Sequence, residues 1–415
     1  METDRGTELR VLREADWDEW YGCLYRAFGW PPAQPEDRAL HRSLLDFDRG
    51  LATWDGDRIV GTAGSFSFRM TVPGGAAVPA AGVTMVSVAA THRRRGTLTS
   101  MMRRQLDDAR ELGEPLAVLT ASEPAIYGRF GYGAATYRLS ARIDTGRVTL
   151  DPPAGSDEVR LRYAAPADVL DACEAVYAAL VPRRPGMLVR RPGWERAGLL
   201  DTEIARGGAS ALQCVVAERD GQVTGYARFR TQAGWNEGGA DGTVRLTDLA
   251  ALDPATEGAL WRFLCGIDLM TTVAVDARPV DDGWQHLVSD IRRCRLRVRD
   301  ECFVRLVDVG AALAARTYQA PVDVVLEVED AFCPWNAGRW HLVADAKGTA
   351  TCRRAPDRAP DLELSVRELG AAYLGGVPFA SLAAAGRVRE LRRGALAQAS
   401  VGFGSAVAPW LPHGF

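Results

Sequence analysis

The chain has 415 residues, of which 50 are lysine or arginine and 53 are aspartate or glutamate, with a formal net charge of −3 and 47% hydrophobic residues. This balance predicts a globular protein of two to four domains and argues against nucleic acid as the main partner, because no global positive field attracts phosphates. Since no run of about twenty apolar residues occurs and residues 1–5 are too charged for a signal peptide, we expect no membrane span and a cytoplasmic protein.

The first third of the chain predicts a mixed α/β domain. Hydrophobic periodicity and turn residues predict a helix over Trp17–Phe28, strands over 51–54, 59–69 and 83–88, and a helix over 97–112 that stops at Gly113. A strand over 116–120 follows, then a short helix with Ser122 as its N-cap that ends near Gly128, and a final strand over 134–143.

Residues 86–96, Val-Ser-Val-Ala-Ala-Thr-His-Arg-Arg-Arg-Gly, predict an anion-binding loop between a strand and a helix. A helix start presents unpaired N–H groups and the positive end of the helix dipole. Gly96 lets the backbone approach a ligand closely, and arginines can fork onto phosphate oxygens. We therefore expect a pyrophosphate here, the alternative being a basic helix start that faces water. Neither of the two common nucleotide motifs, the P-loop and the Gly-x-Gly-x-x-Gly pattern, occurs.

This loop is similar to the Arg/Gln-x-x-Gly-x-Gly/Ala motif of the GCN5-related N-acetyltransferases (GNATs), with Leu98 in place of the second small residue. A leucine at this position is typical of the Eis (enhanced intracellular survival) family. The whole chain resembles that family, because it also shares residues 122–132, the three-part layout and the aromatic C-terminus. Ala90 stands where that family usually has proline.

The resemblance implies an α+β (mixed α/β) fold of two tandem GNAT domains followed by a sterol-carrier-protein-like domain. The expected domains are 1–150, the catalytic GNAT domain; 151–300, a degenerate second copy; and 301–415, the domain that supplies the terminal carboxylate.

Residues 158–300 show internal similarity to the first domain. Strands over 212–218 and 223–230 repeat the first hairpin. When Gly258 is set against Gly96, Glu257 replaces an arginine and would repel a pyrophosphate. This copy is therefore expected to have lost the cofactor.

Beyond residue 301 the pattern changes to strands over 302–307, 322–328, 340–344 and 349–353, and to a strand that runs into a helix over 361–376. Its resemblance to a sterol-carrier domain implies a role in presenting the chain terminus and packing subunits rather than in binding lipid.

The resemblance implies acetyl-CoA as co-substrate. The residues expected to bind it are Val86, Ser87 and Val88 through their backbone, as an oxyanion-hole element; Arg94, Arg95, Gly96, Thr97, Leu98 and Thr99 at the pyrophosphate; and Ser122 and Glu123 along the next loop. No metal is expected, because the eight cysteines are scattered and only five histidines are present. Most of the thiols are expected to be buried and reduced.

The resemblance also implies the catalytic groups: Tyr127 as general acid and the C-terminal carboxylate of Phe415 as general base. His413 is a rival base by its ordinary pKa, and a disordered tail is the alternative to a docked one. Phe28 and Trp30 are candidates for the acceptor wall, with a place in the hydrophobic core as the alternative for Trp30.

The resulting hypothesis is an acetyl-CoA-dependent N-acetyltransferase acting on amines of aminoglycosides, other polyamines or lysine side chains. Transfer is expected to be direct, in a ternary complex, because no cysteine is recognisably placed to become an acyl-enzyme. The alternative is a non-catalytic acyl-CoA- or lipid-binding or regulatory protein on a GNAT scaffold. The resemblance implies a homo-oligomer, specifically a hexamer.

Overall fold

A computed structural model describes residues 6–415, which form two compact units. The first unit contains the residues up to Thr136 together with 184–189 and 301–415, and the second contains 137–183 and 190–300. Residues 1–5, which sequence analysis considered for a signal peptide, lie outside the described residues.

Strands and helices alternate along most of the chain. The strands are β1 (Thr7–Val11), β2 (Leu51–Asp55), β3 (Arg58–Thr71), β4 (Ala77–Val88), β5 (Leu116–Thr120), β6 (Gly133–Ala134), β7 (Tyr137–Asp144), β8 (Arg160–Ala164), β9 (Gln213–Arg219), β10 (Gln222–Gln232), β11 (Trp235–Asn236), β12 (Gly239–Ala240), β13 (Gly242–Ala251), β14 (Met270–Pro279), β15 (Arg297–Asp300), β16 (Cys302–Leu306), β17 (Val322–Glu329), β18 (Gly338–Ala344), β19 (Ala350–Arg354), β20 (Leu362–Ser365) and β21 (Val388–Glu390). The α-helices are α1 (Trp17–Phe28), α2 (Pro35–Leu44), α3 (Thr97–Glu111), α4 (Pro124–Tyr127), α5 (Leu170–Leu180), α6 (Glu203–Arg206), α7 (Pro254–Cys265), α8 (Val309–Ala315), α9 (Val366–Ala372), α10 (Phe379–Ala384) and α11 (Ala395–Gly402).

The main sheet of the first unit has the strand order β1-β2-β3-β4-β5-β16-β6. Only β4 and β5 run parallel, and the other neighbours are antiparallel. α1 and α3 pack on β3 and β4. The predicted helix Trp17–Phe28 and the first hairpin are confirmed, whereas the strand predicted over 83–88 begins earlier, at Ala77.

The prediction of one final strand over 134–143 in the first sheet is wrong. β6 stays in that sheet, but β7 pairs with β14 and β15 in the second unit. Its place is taken by β16, which comes after residue 300 and pairs with β5 and β6. Alternating hydrophobicity identifies a strand but not its neighbour, because strands of both sheets offer similar apolar faces.

The sheet of the second unit has the order β15-β7-β14-β13-β10-β9-β8, with β13 and β14 parallel. β9 and β10 form the predicted second hairpin around the turn at Asp220 and Gly221. α7 packs against β10 and β13, as α3 packs against β3 and β4 in the first unit. The repetition of the plan is therefore visible in the strand order as well as in the sequence.

The remaining strands of the first unit form a five-stranded sheet of order β19-β18-β17-β20-β21. The predicted passage from strand to helix is confirmed by β20 and α9, where the hydroxyl of Ser365 accepts a hydrogen bond from the N–H of Arg367. Buried Arg305 of β16 forms an ion pair of 2.6 Å with Asp330, which follows β17. Six of the eight cysteines are buried, as predicted, and all eight are free thiols.

Within residues 6–415 no helix is both long and apolar enough to cross a membrane. Over the same residues, no three histidine, cysteine or acidic side chains are grouped as a metal site would require.

Candidate active site

A cavity of about 1050 Å³ lies in the first unit and is bounded by α1, the end of β4, the start of α3 and α4. Among its lining residues are the predicted Phe28, Trp30, Val86, Ser87, Val88, Arg94, Gly96, Thr97, Leu98, Thr99, Ser122, Glu123, Tyr127 and Phe415. Arg95 is exposed at the start of α3 and does not line the cavity. The structure therefore brings all but one of the predicted site residues together.

The cavity enters the sheet where β4 separates from β5. The two strands pair only from Ala80↔Leu116 to Gly82↔Val118, and no further ladder pair joins them in the described chain. A bulge at Met85, whose φ of 52° is unusual for a side chain, shifts the register of β4 against β3. Backbone groups of β4 beyond the bulge thus face open space rather than a neighbouring strand.

The bulge is held by Thr62 on β3. Its hydroxyl donates to the carbonyl of Met85 at 2.8 Å and lies 2.7 Å from the hydroxyl of Ser87. Because the side chain of Ser87 is buried and paired in this way, the residue can act on a ligand only through its backbone. This agrees with the backbone role that sequence analysis assigned to it.

The start of α3 is open toward the cavity. Gly96 has a φ of 84°, and a Cβ placed there would have no neighbour within 4 Å. No side chain caps the helix and its first turn contains no acidic residue. The first-turn N–H groups lack partners within the helix, and Arg93 and Arg94 stand beside them on the cavity wall. The arrangement suits a polyphosphate anion.

The second unit closes the same position with its own carboxylate. Asp253 is the N-cap of α7 and accepts hydrogen bonds from the N–H of Thr256 at 2.9 Å and from its hydroxyl at 2.7 Å. The connection before α7 is also short, residues 252–253, against residues 89–96 before α3. The absence of an open anion site in the second unit follows from this cap.

The expected alignment of Gly258 with Gly96 is therefore wrong. Gly258 lies inside α7, where a Cβ would come within 2.7 Å of Pro153. Asp253 occupies the N-cap position that Gly96 has in α3. The sequence alignment failed because the loop before α7 is shorter than the loop before α3. Matching Gly258 to Gly96 therefore aligned the interior of α7 with the start of α3.

Tyr127 is the last residue of α4 and faces the cavity, with its ring edge-on to that of Tyr132 at 6.0 Å. Burial, together with the nearby charge of Glu123, raises the pKa of Tyr127 to about 12. The N-cap predicted at Ser122 is wrong: Glu123 holds that position and no side chain caps the helix, which has Pro124 in its first turn. Ser122 and Glu123 nevertheless both line the cavity.

The C-terminal tail is docked, as predicted. Leu411 is buried, and the ring of Phe415 lies edge-on to that of Phe68 at 5.0 Å. The hydroxyl of Thr84 on β4 donates a 2.9 Å hydrogen bond to an oxygen of the Phe415 α-carboxylate. This fixes the main-chain end of Phe415 beside the β4 bulge. His413, the rival base, does not line the cavity.

Aromatic side chains of α1 and the loop after it form one side of the cavity. This aromatic wall consists of Tyr21, Tyr25, Phe28 and Trp30. Phe28 and Trp30 are stacked at 4.5 Å, and Tyr25 lies edge-on to Trp30 at 5.1 Å. Trp30 remains 50% exposed, so the alternative that places it in the hydrophobic core is wrong.

Several lining residues escaped sequence reasoning, among them Thr84, His41 and Cys23. Thr84 carries no local signal, because its partner Phe415 is far away in the chain. His41 comes from α2, and its Nδ1 lies 2.7 Å from the hydroxyl of Tyr21. Cys23 lines the cavity, although no cysteine was expected to be placed for an acyl-enzyme; burial raises the pKa of its thiol and so disfavours the nucleophilic thiolate.

Three family models match successive parts of the chain. Residues 8–135 and 186–306 each match a family model described as an acetyltransferase (GNAT) domain, and residues 309–412 match a sterol carrier protein domain. An uncharacterized N-acetyltransferase of Streptomyces coelicolor is 72% identical over 412 residues, which cover 98% of this chain and 99% of that protein.

The N-acetyltransferase Eis of Mycobacterium tuberculosis is 33% identical over 393 residues, 90% of this chain and 91% of that protein. Among solved structures, Eis1 from Mycobacterium abscessus is similar, with a TM-score of 0.83 and 33% identity. The match covers 99% of this chain and 100% of that one.

Proposed function

The chain belongs to the Eis family of GCN5-related N-acetyltransferases, and from this we propose that its cavity transfers acetyl directly from acetyl-CoA to a primary amine in a ternary complex. N-acetyltransferase activity is that of the family, and GNAT enzymes use acetyl-CoA. The observation that carries the proposal is that one cavity contains an open helix start, a protonated phenol and a fixed carboxylate.

The donor end of the cavity fits acetyl-CoA. The open first turn of α3, with Arg94 beside it, would hold the pyrophosphate, and Ser122 and Glu123 would line the arm. Backbone N–H groups of residues 86–88 would bind the arm and donate to the thioester oxygen, where negative charge grows during the reaction. Arg95 does not line the cavity. We therefore propose that it attracts the pyrophosphate only as a charge at longer range.

Tyr127 is proposed as the general acid. As the amine nitrogen bonds to the carbonyl carbon, the carbon–sulfur bond breaks and the sulfur needs a proton. The raised pKa of about 12 keeps the phenol of Tyr127 protonated and ready to supply it. Regeneration then requires that the phenol recover a proton from water.

The α-carboxylate of Phe415 is proposed as the base. Thr84 fixes its position, so it can hold the incoming ammonium and take the proton that the nitrogen loses on forming the amide. Cys23 is not given a covalent role, because burial keeps its thiol protonated. The alternative, non-catalytic acyl-CoA binding, would not explain why Tyr127 and the end of Phe415 lie in the same cavity.

The acceptor classes implied by the resemblance are aminoglycosides, other polyamines and lysine side chains. We propose a cytoplasmic homo-oligomer, a hexamer by the same resemblance. We also propose the three-part division at residues 150 and 300, with two strands outside it: β7 lies in the sheet of the second unit, and β16 lies in the first sheet although it comes after residue 300.

The test is thiol release from acetyl-CoA by the full chain, with a panel of amines that includes kanamycin, spermidine, a lysine peptide and phenethylamine. We expect Tyr127→Phe to lower kcat by about 10²-fold or more while CoA affinity is retained. Tyr163→Phe, at an exposed tyrosine of the second unit, is the matched control and keeps full activity. Absence of thiol release with every amine would overturn the proposal.

A further inference from the structure

The second unit contains a row of reactive side chains on one face of its sheet. Cys214 of β9 lies directly opposite Arg228 of β10, and Arg228 lies opposite Asp248 of β13. Residues that are paired across neighbouring strands point their side chains to the same face. A thiol, a guanidinium group and a carboxylate are therefore neighbours across three strands. The proposed acetyl transfer uses none of them, because it takes place in the first unit.

Helix α5 covers this row and adds a second thiol. The helix packs on β10, and its Cys173 lies in the same hydrophobic cluster as Cys214. Both cysteines are free and wholly buried. The thiol of Cys173 donates a hydrogen bond to the sulfur of Cys214. Two thiols from different elements of the second unit are thus in contact.

Arg228 is a buried cation with unused donors. Its side chain is 1% exposed, and its Nη1 lies 4.0 Å from the carboxylate of Asp248, which is beyond hydrogen-bond distance. That carboxylate instead accepts a 2.7 Å hydrogen bond from the hydroxyl of Tyr226. Within residues 6–415, neither Nε nor Nη2 of Arg228 has a hydrogen-bond partner. An arginine donates to oxygen atoms in parallel through such a pair of nitrogens, so this edge is available to an oxygen that appears beside it.

The cluster favours a thiolate on Cys214 rather than on Cys173. The hydrogen bond from Cys173 and the positive charge of Arg228 lower the pKa of Cys214, although burial and the charge of Asp248 oppose them. The same hydrogen bond, together with burial, raises the pKa of Cys173. Because the thiolate is the reactive form of cysteine, Cys214 is the nucleophile of the pair and Cys173 is the thiol that can combine with it afterwards.

We propose that Cys214 and Cys173 form a peroxide-sensitive modification site, which closes into a reversible disulfide between β9 and α5. In the first step the thiolate of Cys214 attacks one oxygen of hydrogen peroxide, the O–O bond breaks and hydroxide leaves. The product is a sulfenic acid on Cys214. Its oxygen can accept hydrogen bonds from Nε and Nη2 of Arg228, which have no acceptor while the thiols are reduced.

The second step joins the two sulfurs. The thiol of Cys173 attacks the sulfur of Cys214, the S–O bond breaks, and the oxygen leaves as water with the thiol proton. The two cysteines together lose two electrons, which the peroxide gains, and a dithiol reductant reverses the change. Hydrogen peroxide is small and uncharged, so local opening of α5 over the sheet is sufficient to admit it.

The second unit also contains a matched pair of cysteines. Cys265 of α7 and Cys294 lie near each other, but burial raises the pKa of Cys265 to about 12 and that of Cys294 to about 11. Cys265 is partly exposed, whereas Cys173 and Cys214 are wholly buried. Exposure alone would make Cys265 react first, and the thiolate on Cys214 predicts the opposite order.

The first experiment treats the reduced, folded full chain with stoichiometric hydrogen peroxide. The remaining thiols are then alkylated in denaturant and mapped by mass spectrometry. We expect Cys173 and Cys214 to lose alkylation together, in a cross-linked peptide pair, at least about tenfold faster than Cys265 and Cys294. Dithiothreitol should restore both thiols. Oxidation of Cys265 or of partly exposed Cys352 at an equal or higher rate would overturn the inference.

The second experiment separates the roles of the two thiols. In Cys173→Ser the sulfenic acid on Cys214 has no partner thiol, so dimedone should trap it there. In Cys214→Ser dimedone should not label Cys173, and the reverse pattern would contradict the assignment. Neither cysteine lines the cavity of the first unit, so both variants should release thiol from acetyl-CoA as the wild type does before oxidation. Failure of the proposed acetyl transfer is thereby distinguishable from failure of this inference.

The third experiment tests the arginine. Arg228→Lys keeps a positive charge but lacks the Nε–Nη2 edge, and we expect disulfide formation to slow by about tenfold. Arg230→Lys is the matched control on the same strand, since Arg230 is paired with Asp201 at 2.9 Å, and it should oxidise at the wild-type rate. Melting curves check that each variant is folded. An unchanged rate in Arg228→Lys would overturn the part assigned to Arg228.

Discussion

Tyr127, the proposed general acid, illustrates how burial keeps a phenol protonated. Loss of water around the ring and the charge of Glu123 both disfavour the phenolate, which is why the pKa of Tyr127 rises to about 12. The phenol therefore stays neutral throughout the pH range in which an ordinary alkylamine, with a pKa of about 10, becomes the free base.

The first prediction concerns pH. Because the pKa of Tyr127, the proposed general acid, is raised to about 12, kcat/KM should rise with pH as the acceptor amine is deprotonated and should not fall again below about pH 11. The measurement is thiol release over about pH 6 to about pH 11. A descending limb that begins between about pH 8 and about pH 10 would assign the acid to another group.

The second prediction concerns the carboxylate of Phe415. Adding two glycines to the C-terminus moves the charge away from Thr84 while leaving the ring of Phe415 able to pack on Phe68. We expect kcat to fall by about 10²-fold, with an unchanged melting temperature and CoA affinity.

Thr84 supplies the control for that experiment. Thr84→Ser keeps the hydroxyl that donates to the carboxylate, whereas Thr84→Val removes it with little change in volume. Activity should be retained in the serine variant and reduced in the valine variant. Full activity of the extended chain would show that the terminal carboxylate takes no part in the reaction.

At the scale of elements, α3 and α7 show how one helix start is kept open and another is filled. Both follow a strand of a parallel pair and pack on their sheet. α3 begins at Gly96 without a cap, and α7 begins at Asp253, whose carboxylate binds its own first turn. The residue at the N-cap and the length of the preceding loop thus decide whether a helix start is open to an anion.

The third prediction follows from this comparison. Gly96→Asp should raise KM for acetyl-CoA by about tenfold or more, because the new carboxylate competes for the first-turn N–H groups and repels the pyrophosphate. Gly113→Asp, at the other end of α3, is the matched control, since Gly113 also has a positive φ and open space for a side chain. Equal effects of the two substitutions would indicate strain rather than electrostatics.

At the scale of the whole molecule, the first sheet is completed by a strand from beyond residue 300. β16 lies between β5 and β6, and its Arg305 is wholly buried in an ion pair with Asp330. The first unit therefore includes chain from both ends of the sequence, and the terminal carboxylate reaches the cavity from the same C-terminal part.

The fourth prediction is that a chain ending at residue 300 fails to form the first unit. Removal of β16 exposes the apolar edges of β5 and β6, so we expect no CoA binding and loss of one cooperative unfolding transition. Co-expression of residues 301–415 should restore both. A truncated chain that binds CoA and unfolds cooperatively in the first unit would contradict this account.

Features that depend on neighbouring residues could be predicted from the sequence. α1, the two hairpins, the passage from β20 to α9 and the basic loop before α3 were all recognisable, because helix and strand periods and turn residues act over a few positions. The resemblance that these motifs carry was sufficient to identify the family and to predict site residues of which all but Arg95 line the cavity.

Tertiary structure alone decided the features that depend on distant residues. The sheets that β7 and β16 join, the hydrogen bond from Thr84 to Phe415, and the place of Cys23 and His41 in the cavity had no local signal. Strand pairing and cavity charge arise from contacts between segments far apart in the chain, and such contacts are selected by global packing rather than by local conformational preference.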